Sequence, residues 1–417
     1  MSAVSFKPVK GMSDIHSPEV ELWQGLEASA RGLLACYDFH EVRTPIVENV
    51  SVFTHSLGEA SEVVEKQMYS FERSKETFCL RPEGTAGVMR YVGGNLQDNQ
   101  QARLYYIGPM FRAEQPQAGR KRQFHQLGVE CIGEASAEQD AEVLQMQAAL
   151  LKSWGLNNVR FQLNTRGSLE DFPKVLAGLR AELEPQRDAL CEDCQRRLQD
   201  NVLRVLDCKV EHCKDCVQAL PPITRWMAPE SLSYFEKVQA CLRNLGVDFE
   251  VNPLLVRGLD YYQHTIWEVT CSGLGAQDAV AGGGRYVMKM GKQQLEGVGF
   301  GIGMERVILA LSEEAAARVR RKEAPLLILV SMSDAARDRL MPVAAQCRDA
   351  GLRVRMDLGG RSLKAQMKAA ARLDAAYVGV VGDSELETGT LQLKDMAART
   401  QKEISLDALI PELSGAG

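Results

Sequence analysis

The sequence predicts two domains of mixed helix-and-strand type. The first is an α+β domain over residues 1–320 with an insertion at about 169–245; the second is an α/β domain over 326–417. Three observations carry this. Strand-like segments at 103–111 and 127–132 flank a basic, Gly-containing loop and read as a hairpin. A charged stretch at 312–323, closed by Pro325, separates the two parts. Beyond it, apolar runs alternate with helical periodicity as β-α-β-α-β, the pattern of an α/β unit with short connections. A chain of 417 residues, 45% hydrophobic and 25% charged, can bury two or three cores and is neither disordered nor fibrous.

In chain order, Leu22, Trp23, Leu26, Ala30, Leu33 and Leu34 recur at helical spacing and predict a helix over 20–37, followed by a strand-like stretch with Pro45. Residues 76–80 read as a strand before the 103–111 and 127–132 pair, and 137–154 reads as a helix with acidic residues in its first turns. The insertion carries cysteine pairs, Pro221-Pro222 and charged helices. Strands are expected again at 249–255 and 265–271. A Gly-rich strand through Gly297 then passes into a helix near Met304. In the second domain strands are expected at 326–330, 353–356, 376–381 and 390–395, with helices at 335–350 and 363–373.

Lys+Arg number 49 against Asp+Glu 55, a formal charge of -6, so any polyanionic partner must be held by local patches. The first residues lack the apolar core of a secretory signal, and no run of about 18 apolar residues occurs. No membrane association and a cytoplasmic location are therefore expected. Eleven cysteines are too dilute for a disulfide scaffold. Cys191-x2-Cys194 and Cys213-x2-Cys216 nevertheless have the spacing of a four-thiolate zinc site. Cys208 lies between the pairs, so five sulfurs leave the ligand choice open. A cysteine-rich linker without metal is the competing reading.

Four segments have chemical character. Phe111-Arg112-Ala113-Glu114 opens a loop that also carries Arg120, Lys121, Arg122, Phe124 and Gln126. Arginine forks suit phosphate oxygens, and an aromatic face suits a purine. Gly301-Ile302-Gly303-Met304-Glu305-Arg306 leads from a strand into a helix. Arg81-Pro82-Glu83-Gly84-Thr85 sets a carboxylate and a hydroxyl beside a turn. Arg257, Asp260, Tyr261 and Tyr262 stand close together where the pattern is otherwise apolar, and a buried Arg requires a partner or ligand.

Together these segments resemble the class II aminoacyl-tRNA synthetases, and among them the histidyl-tRNA synthetase family, over nearly the whole chain. The region 42–47 with Pro45 resembles motif 1, used by the family at a dimer interface. The Phe111 to Glu114 hairpin resembles motif 2 and Gly301 to Arg306 motif 3. The segment 255–262 and Ala281-Gly-Gly-Gly-Arg285-Tyr286 resemble the two histidine-specific motifs. The resemblance implies an antiparallel catalytic sheet of the class II type, a C-terminal anticodon-binding domain, and a homodimer. It implies activation of histidine by ATP with Mg²⁺, then transfer to the 3′ end of tRNA(His). By resemblance, Arg112 bridges the carboxylate and the α-phosphate, and Arg257 adds positive charge there. Glu114, Arg120 and Phe124 bind ATP, with Arg306 on the γ-phosphate. Glu83, Thr85 and Gln126 receive the α-amino group; Glu130, Tyr262 and Tyr286, with Tyr261 and Arg257, complete the histidine pocket. No general base is expected, because the attacking carboxylate is already ionised.

Two departures from the family pattern stand out: Val287 where an Asp usually follows the tyrosine, and Gln115 where a basic residue is favoured. Two other functions compete with this reading. One is the histidine-sensing regulatory paralogue of ATP phosphoribosyltransferase, which lacks the C-terminal domain; this chain has that domain and keeps Arg257. The other is a zinc-stabilised nucleic-acid-binding protein, which leaves 255–262 unexplained.

Overall fold

The structure, a computed structural model of the chain, describes residues 6–414 except 58–62, 96–100, 118, 134, 259–260, 276–277 and 291–292, and the side chains of residues 57 and 65. Asp260 lies outside the described residues. The chain divides after Arg321 into two units, each with its own sheet.

In the first unit, alternating apolar and polar residues give long strands. Among the described residues its strands are β1 (His40–Glu41), β2 (Val47–Asn49), β3 (Tyr69–Arg73), β4 (Glu76–Leu80), β5 (Ala102–Phe111), β6 (Gln123–Ile132), β7 (Val159–Thr165), β8 (Glu250–Val251), β9 (Tyr262–Cys271), β10 (Ala279–Met290) and β11 (Gln293–Gly303). Eight form one sheet in the order β1-β5-β6-β11-β10-β9-β7-β8, with β2, β4 and β3 in a smaller sheet. The six central strands of the large sheet pair antiparallel; β1 and β8 add parallel edges. The expected hairpin is β5–β6, with Phe111 opposite Gln123.

One core is built from helices Glu19–Cys36 and Ala137–Ser153: Leu26, Leu34 and Leu144, with Trp154 just after the second helix, pack with Trp267 and Phe300 of the sheet. A second core holds Met89, Tyr106, Ile266, Tyr262 and Tyr286, and the site opens beside it. Two buried charges anchor the sheet to helix Ala137–Ser153. Arg285 pairs with Asp140 at 2.6 Å, and Asp140 also accepts from Thr265 Oγ1 at 2.7 Å and Tyr234 OH at 3.1 Å. A lone buried carboxylate would be costly; here all its partners are supplied.

Three expectations are corrected. The strand expected at 249–255 is only Glu250–Val251, because Pro253 lacks an N–H and Asn252 turns the chain, accepting from Leu254 N–H at its side chain and from Leu255 N–H at its carbonyl. Helix Pro229–Asn244 falls within the expected insertion but buries Phe235, Val238 and Leu242 in the first core. The separate insertion core, with Leu179, Leu198, Val205 and Met227 buried, draws on this helix only through the partly buried Leu232. Strands β7 and β10 were not expected as strands at all.

The second unit has β12 (Leu326–Ser331), β13 (Arg353–Met356), β14 (Tyr377–Val381), β15 (Thr390–Asp395) and β16 (Thr400–Ser405) in the order β13-β12-β14-β15-β16. The first three are parallel and the last two add antiparallel pairs, β16 being a strand the periodicity did not reveal. Helices Asp334–Asp349 and Leu363–Arg372 link the parallel strands, as an α/β unit requires.

Candidate active site

The hairpin and the Gly-rich strands assemble a cleft lined by Arg112, Glu114, Arg120, Phe124, Gln126, Arg257 and Arg306. Arg112 is held by donating from Nε to Pro82 O at 2.9 Å, and its guanidinium lies 5.2 Å from the Phe124 ring centre. Glu114 accepts from Arg120 at 3.5 Å. Glu305 is buried and accepts from His125 N–H at 2.9 Å, which ties the start of helix Met304–Ala310 to β6 and delivers the next residue, Arg306, to the cleft. Arg112, Arg120, Lys121, Arg257 and Arg306 face three carboxylates on this wall, Glu114, Glu268 and Glu305. A surplus of cations in a concave site suits a polyanion. Burial, and then the neighbouring Arg120, lower the pKa of Arg306; burial lowers that of Arg112 despite Glu114 and Glu83.

A second, smaller cavity adjoins the first and shares Arg112, Gln126 and Arg257 with it. Glu83, Thr85, Glu130, Tyr261, Tyr262 and Tyr286 line it. Glu83 accepts from the Thr85 and Ala86 N–H groups at 2.7 and 2.8 Å, at the start of helix Thr85–Asn95, where orphan N–H groups favour an anion. Thr85 Oγ1 donates to Glu130 Oε1 at 2.7 Å, and Tyr286 OH donates to Glu130 Oε2 at 2.5 Å. Burial, opposed by these two hydrogen bonds, pushes Glu130 up to about 8, with Glu83 adding repulsion. Burial also raises Glu83, against the backbone N–H groups. Arg257 donates to Glu268 at 2.9 Å; burial works against its charge, but Tyr262 and Glu268 outweigh it and raise its pKa.

Glycines clear the space these side chains occupy. A Cβ at Gly282 would lie 2.5 Å from Arg257 Nη1, one at Gly284 2.7 Å from the Tyr262 ring, and one at Gly299 2.3 Å from Glu130 Oε2. The Gly-rich runs of β10 and β11 are therefore the floor under the site.

Every residue expected at the ATP and histidine sites lines one of these two cavities. Sequence reasoning missed Tyr106, whose buried ring closes the smaller cavity, and Glu268, the partner of Arg257. Glu268 carried a signal, a carboxylate within the apolar run of β9. Val287 does not leave Tyr286 unsupported: its N–H donates to Tyr261 O at 3.0 Å, and Tyr286 is held by Glu130. Gln115 is exposed on the loop.

The cysteine set is corrected. Cys191, Cys194, Cys208 and Cys213 have their sulfurs within 4.8 Å of one another, whereas Cys216 is outside the cluster. Helix Glu211–Gln218 carries both Cys213 and Cys216, one turn apart, and Cys208 takes the place expected for the latter.

An antiparallel sheet that bears an arginine-rich hairpin, a Gly-rich strand running into a helix with Arg306, and a following α/β unit defines a class II aminoacyl-tRNA synthetase. Residues 11–307 match the family model for histidyl-tRNA synthetase, and residues 326–415 match that for the anticodon binding domain. A histidine–tRNA ligase of Bacillus cytotoxicus is 41% identical over 97% of each chain. The apo S. aureus histidyl-tRNA synthetase crystal structure superposes with a TM-score of 0.81 at 33% identity, covering 98% of this chain and 100% of that one. The crystal structure of an ATP phosphoribosyltransferase regulatory subunit/histidyl-tRNA synthetase from Bacillus halodurans, at 19% identity and a TM-score of 0.64 over 91% of this chain and 99% of that one, shares the fold. The chain belongs to the histidyl-tRNA synthetase family, and it is an enzyme, a histidine–tRNA ligase. Among the described residues no helix is long and apolar enough to cross a membrane.

Proposed function

We propose that the two cavities divide the ligase reaction between them: ATP occupies the cationic cleft, histidine the smaller cavity, and the α-phosphate meets the histidine carboxylate beside Arg112 and Arg257. What supports this is that Arg112, Arg257 and Gln126 alone among the expected site residues line both cavities. Attack of a carboxylate on a phosphate joins two anions, so the transition state concentrates negative charge, and fixed guanidinium groups stabilise it without reorganising. Arg112, clamped to Pro82 O, and Arg257, clamped to Glu268, are preorganised for that role. The new bond joins a carboxylate oxygen to phosphorus; the bond to the pyrophosphate oxygen breaks, and pyrophosphate leaves toward Arg306. The second step transfers the histidyl group to a ribose hydroxyl at the 3′ end of tRNA(His), releasing AMP.

Mg²⁺ bound with ATP would offset the charge of the leaving phosphates. Glu114 and Glu268 are the carboxylates of the cleft that would hold it: an arginine hydrogen-bonds only Oε2 of each, whereas His125 N–H takes up both oxygens of Glu305. A site of this kind, one or two carboxylates plus substrate phosphates, suits Mg²⁺. In the smaller cavity Glu83, Thr85 and Gln126 receive the α-amino group. Glu130 and Tyr286, with Tyr261 and Tyr262, read the imidazole. An apolar isostere would leave Glu130 and Tyr286 buried without their ligand partner, which sites of this type reject by large factors.

The enzyme acts as a cytoplasmic homodimer. Ile46 and Val47, beside the motif 1 proline, and Phe71 of the same small sheet are apolar and 43 to 45% exposed, as an uncovered subunit contact would be. Sedimentation giving a monomer mass at micromolar concentration would remove the dimer. A structural zinc in the insertion would act on its fold, because none of the four clustered sulfurs lines either cavity.

Histidine-dependent ATP–pyrophosphate exchange tests the division of roles. Wild-type protein should exchange, and Arg257→His should lose on the order of 10²–10³ in rate while still binding histidine, because the cation acts on charge that develops in the transition state. An Arg257→His rate within about threefold of wild type would deny Arg257 this role, given the same scale for a lost donor.

A further inference from the structure

The insertion contains a cluster that adenylation does not use. Cys191 stands just before helix Glu192–Asp200 and Cys194 lies in its first turn; Cys208 follows the short helix Val202–Val205; Cys213 lies in the first turn of helix Glu211–Gln218. Three separate segments thus deliver four sulfurs to one point. A tetrahedral zinc with Zn–S bonds of about 2.3 Å sets sulfurs roughly 3.8 Å apart. Here Cys191 and Cys208 are 3.9 Å apart, and all four sulfurs fall within 4.8 Å. The Cys191 N–H donates to Cys213 Sγ at 3.1 Å, the outer-shell support that a metal thiolate takes. Cys194, Cys208 and Cys213 are buried and Cys191 is half-buried, so the point is closed, as in structural rather than catalytic zinc sites.

The cluster also brackets two arginines. Arg197 follows Cys194 by one turn of the same helix, and Arg204 lies between that helix and Cys208. Arg197 donates to the Arg204 carbonyl at 3.4 Å. Both line a further cleft with Arg166, and this cleft is continuous with the reaction centre because Arg112 and Arg257 line it too. A row of arginines leading to the α-phosphate site fits a phosphodiester strand approaching the adenylate.

We propose that Cys191, Cys194, Cys208 and Cys213, and not Cys216, bind one structural Zn²⁺ as thiolates, and that this ion holds Arg197 and Arg204 on the wall of the cleft that receives the tRNA 3′ strand. The second half rests on the ligase reading above; the first does not. Zinc binding displaces the four thiol protons to solvent. Four thiolates on one divalent ion cross-link segments that otherwise meet over the small insertion core alone.

The test uses the full chain purified without chelator. Metal analysis should give about one zinc per chain, and Cys208→Ser should lose it while Cys216→Ser retains it. On the wild-type protein, a mercurial thiol reagent should release the zinc to a metallochromic indicator, a measurement that does not depend on the folding of any variant. Cobalt exchanged into the site should give the thiolate charge-transfer and tetrahedral bands. Zinc loss should raise KM for tRNA(His) and leave histidine-dependent exchange close to wild type. Protein grown with zinc that contains none, or whose zinc survives Cys208→Ser but not Cys216→Ser, would overturn the ligand set. Zinc present with an unchanged KM for tRNA after its release would overturn the positioning of the arginines. A protein that holds zinc but shows no exchange would leave the metal site standing and remove the ligase reading.

Discussion

At the scale of single residues, Glu130 has the most unusual chemistry. It is almost fully buried between two hydroxyl donors, and its carboxyl is pushed up to about 8 by burial and the nearby Glu83. In the unfolded chain it titrates near 4.3. Between these values the folded protein binds the extra proton, so stability falls as pH rises from about 4.3 through about 8. Glu130→Gln, which keeps the shape without the ionisation, should flatten the fall in Tm between pH 6 and 9 measured without histidine. Saturating histidine should also reduce the wild-type slope, because an imidazole N–H favours the ionised carboxylate. Equal slopes in wild type and variant would show that Glu130 is already ionised at neutral pH. The acids, arginines and tyrosines of the site were legible because they stand in short contiguous motifs. Tyr106 was not, since strand alternation tells which side chains share a face but not which face meets a ligand.

Among the elements, β10 and β11 show why glycine can be a site residue without touching a ligand. Neither glycine-rich run favours a strand by itself, and β10 was accordingly missed; it forms because β9 and β11 pair with it on both sides. At Gly282 the atoms an added Cβ would meet are the ends of the Arg257 side chain, which can move. At Gly299 they include the Val129 carbonyl, which cannot. Gly282→Ala should therefore fold normally, with a Tm close to wild type. Its exchange rate should drop on the order of 10²-fold, the cost of displacing by about 1 Å the guanidinium proposed to act at the α-phosphate. A Gly282→Ala protein with wild-type exchange would mean that the position of Arg257 is not critical. Gly299→Ala should instead lower Tm. Helix ends were legible to within a residue or two, but the role of an element was less so. Helix Pro229–Asn244 looked like part of the insertion because it follows the cysteine pairs, yet Phe235, Val238 and Leu242 place its apolar face in the main core. Ser362 stands at the N-cap of helix Leu363–Arg372 without a side-chain cap bond; its carbonyl joins the helix, accepting from Gln366 N–H at 3.0 Å.

For the whole molecule, the question is how a chain of net charge -6 holds a long polyanion. Its positive charge has to be local. In the first unit that charge is spent on the reaction centre and the arginine-lined cleft. In the second, six basic residues stand between Arg353 and Arg372 against Asp357 alone. Two of the six have acidic partners: Arg353 pairs with Glu323 at 2.6 Å and Arg361 with Asp357 at 2.8 Å. Lys364, Lys368 and Arg372 recur every four residues along helix Leu363–Arg372 and are exposed, while Gln366 and Ala370 face inward. The division of the chain into two units was visible in the charged run at 312–323. The exposure of this stripe was not visible there, because a spacing of four sets a face without saying what covers it. Lys364→Glu with Lys368→Glu should raise KM for tRNA(His) several-fold. If each lysine meets one phosphate, the slope of log affinity on log salt should shrink by roughly 1 to 2. Histidine-dependent exchange should stay near wild type, since no residue of either active-site cavity lies beyond 306. An unchanged KM and salt slope at near-physiological ionic strength would assign the stripe to solvent and move recognition to the pocket formed by Arg355, Arg361 and Arg372 beside Asp357.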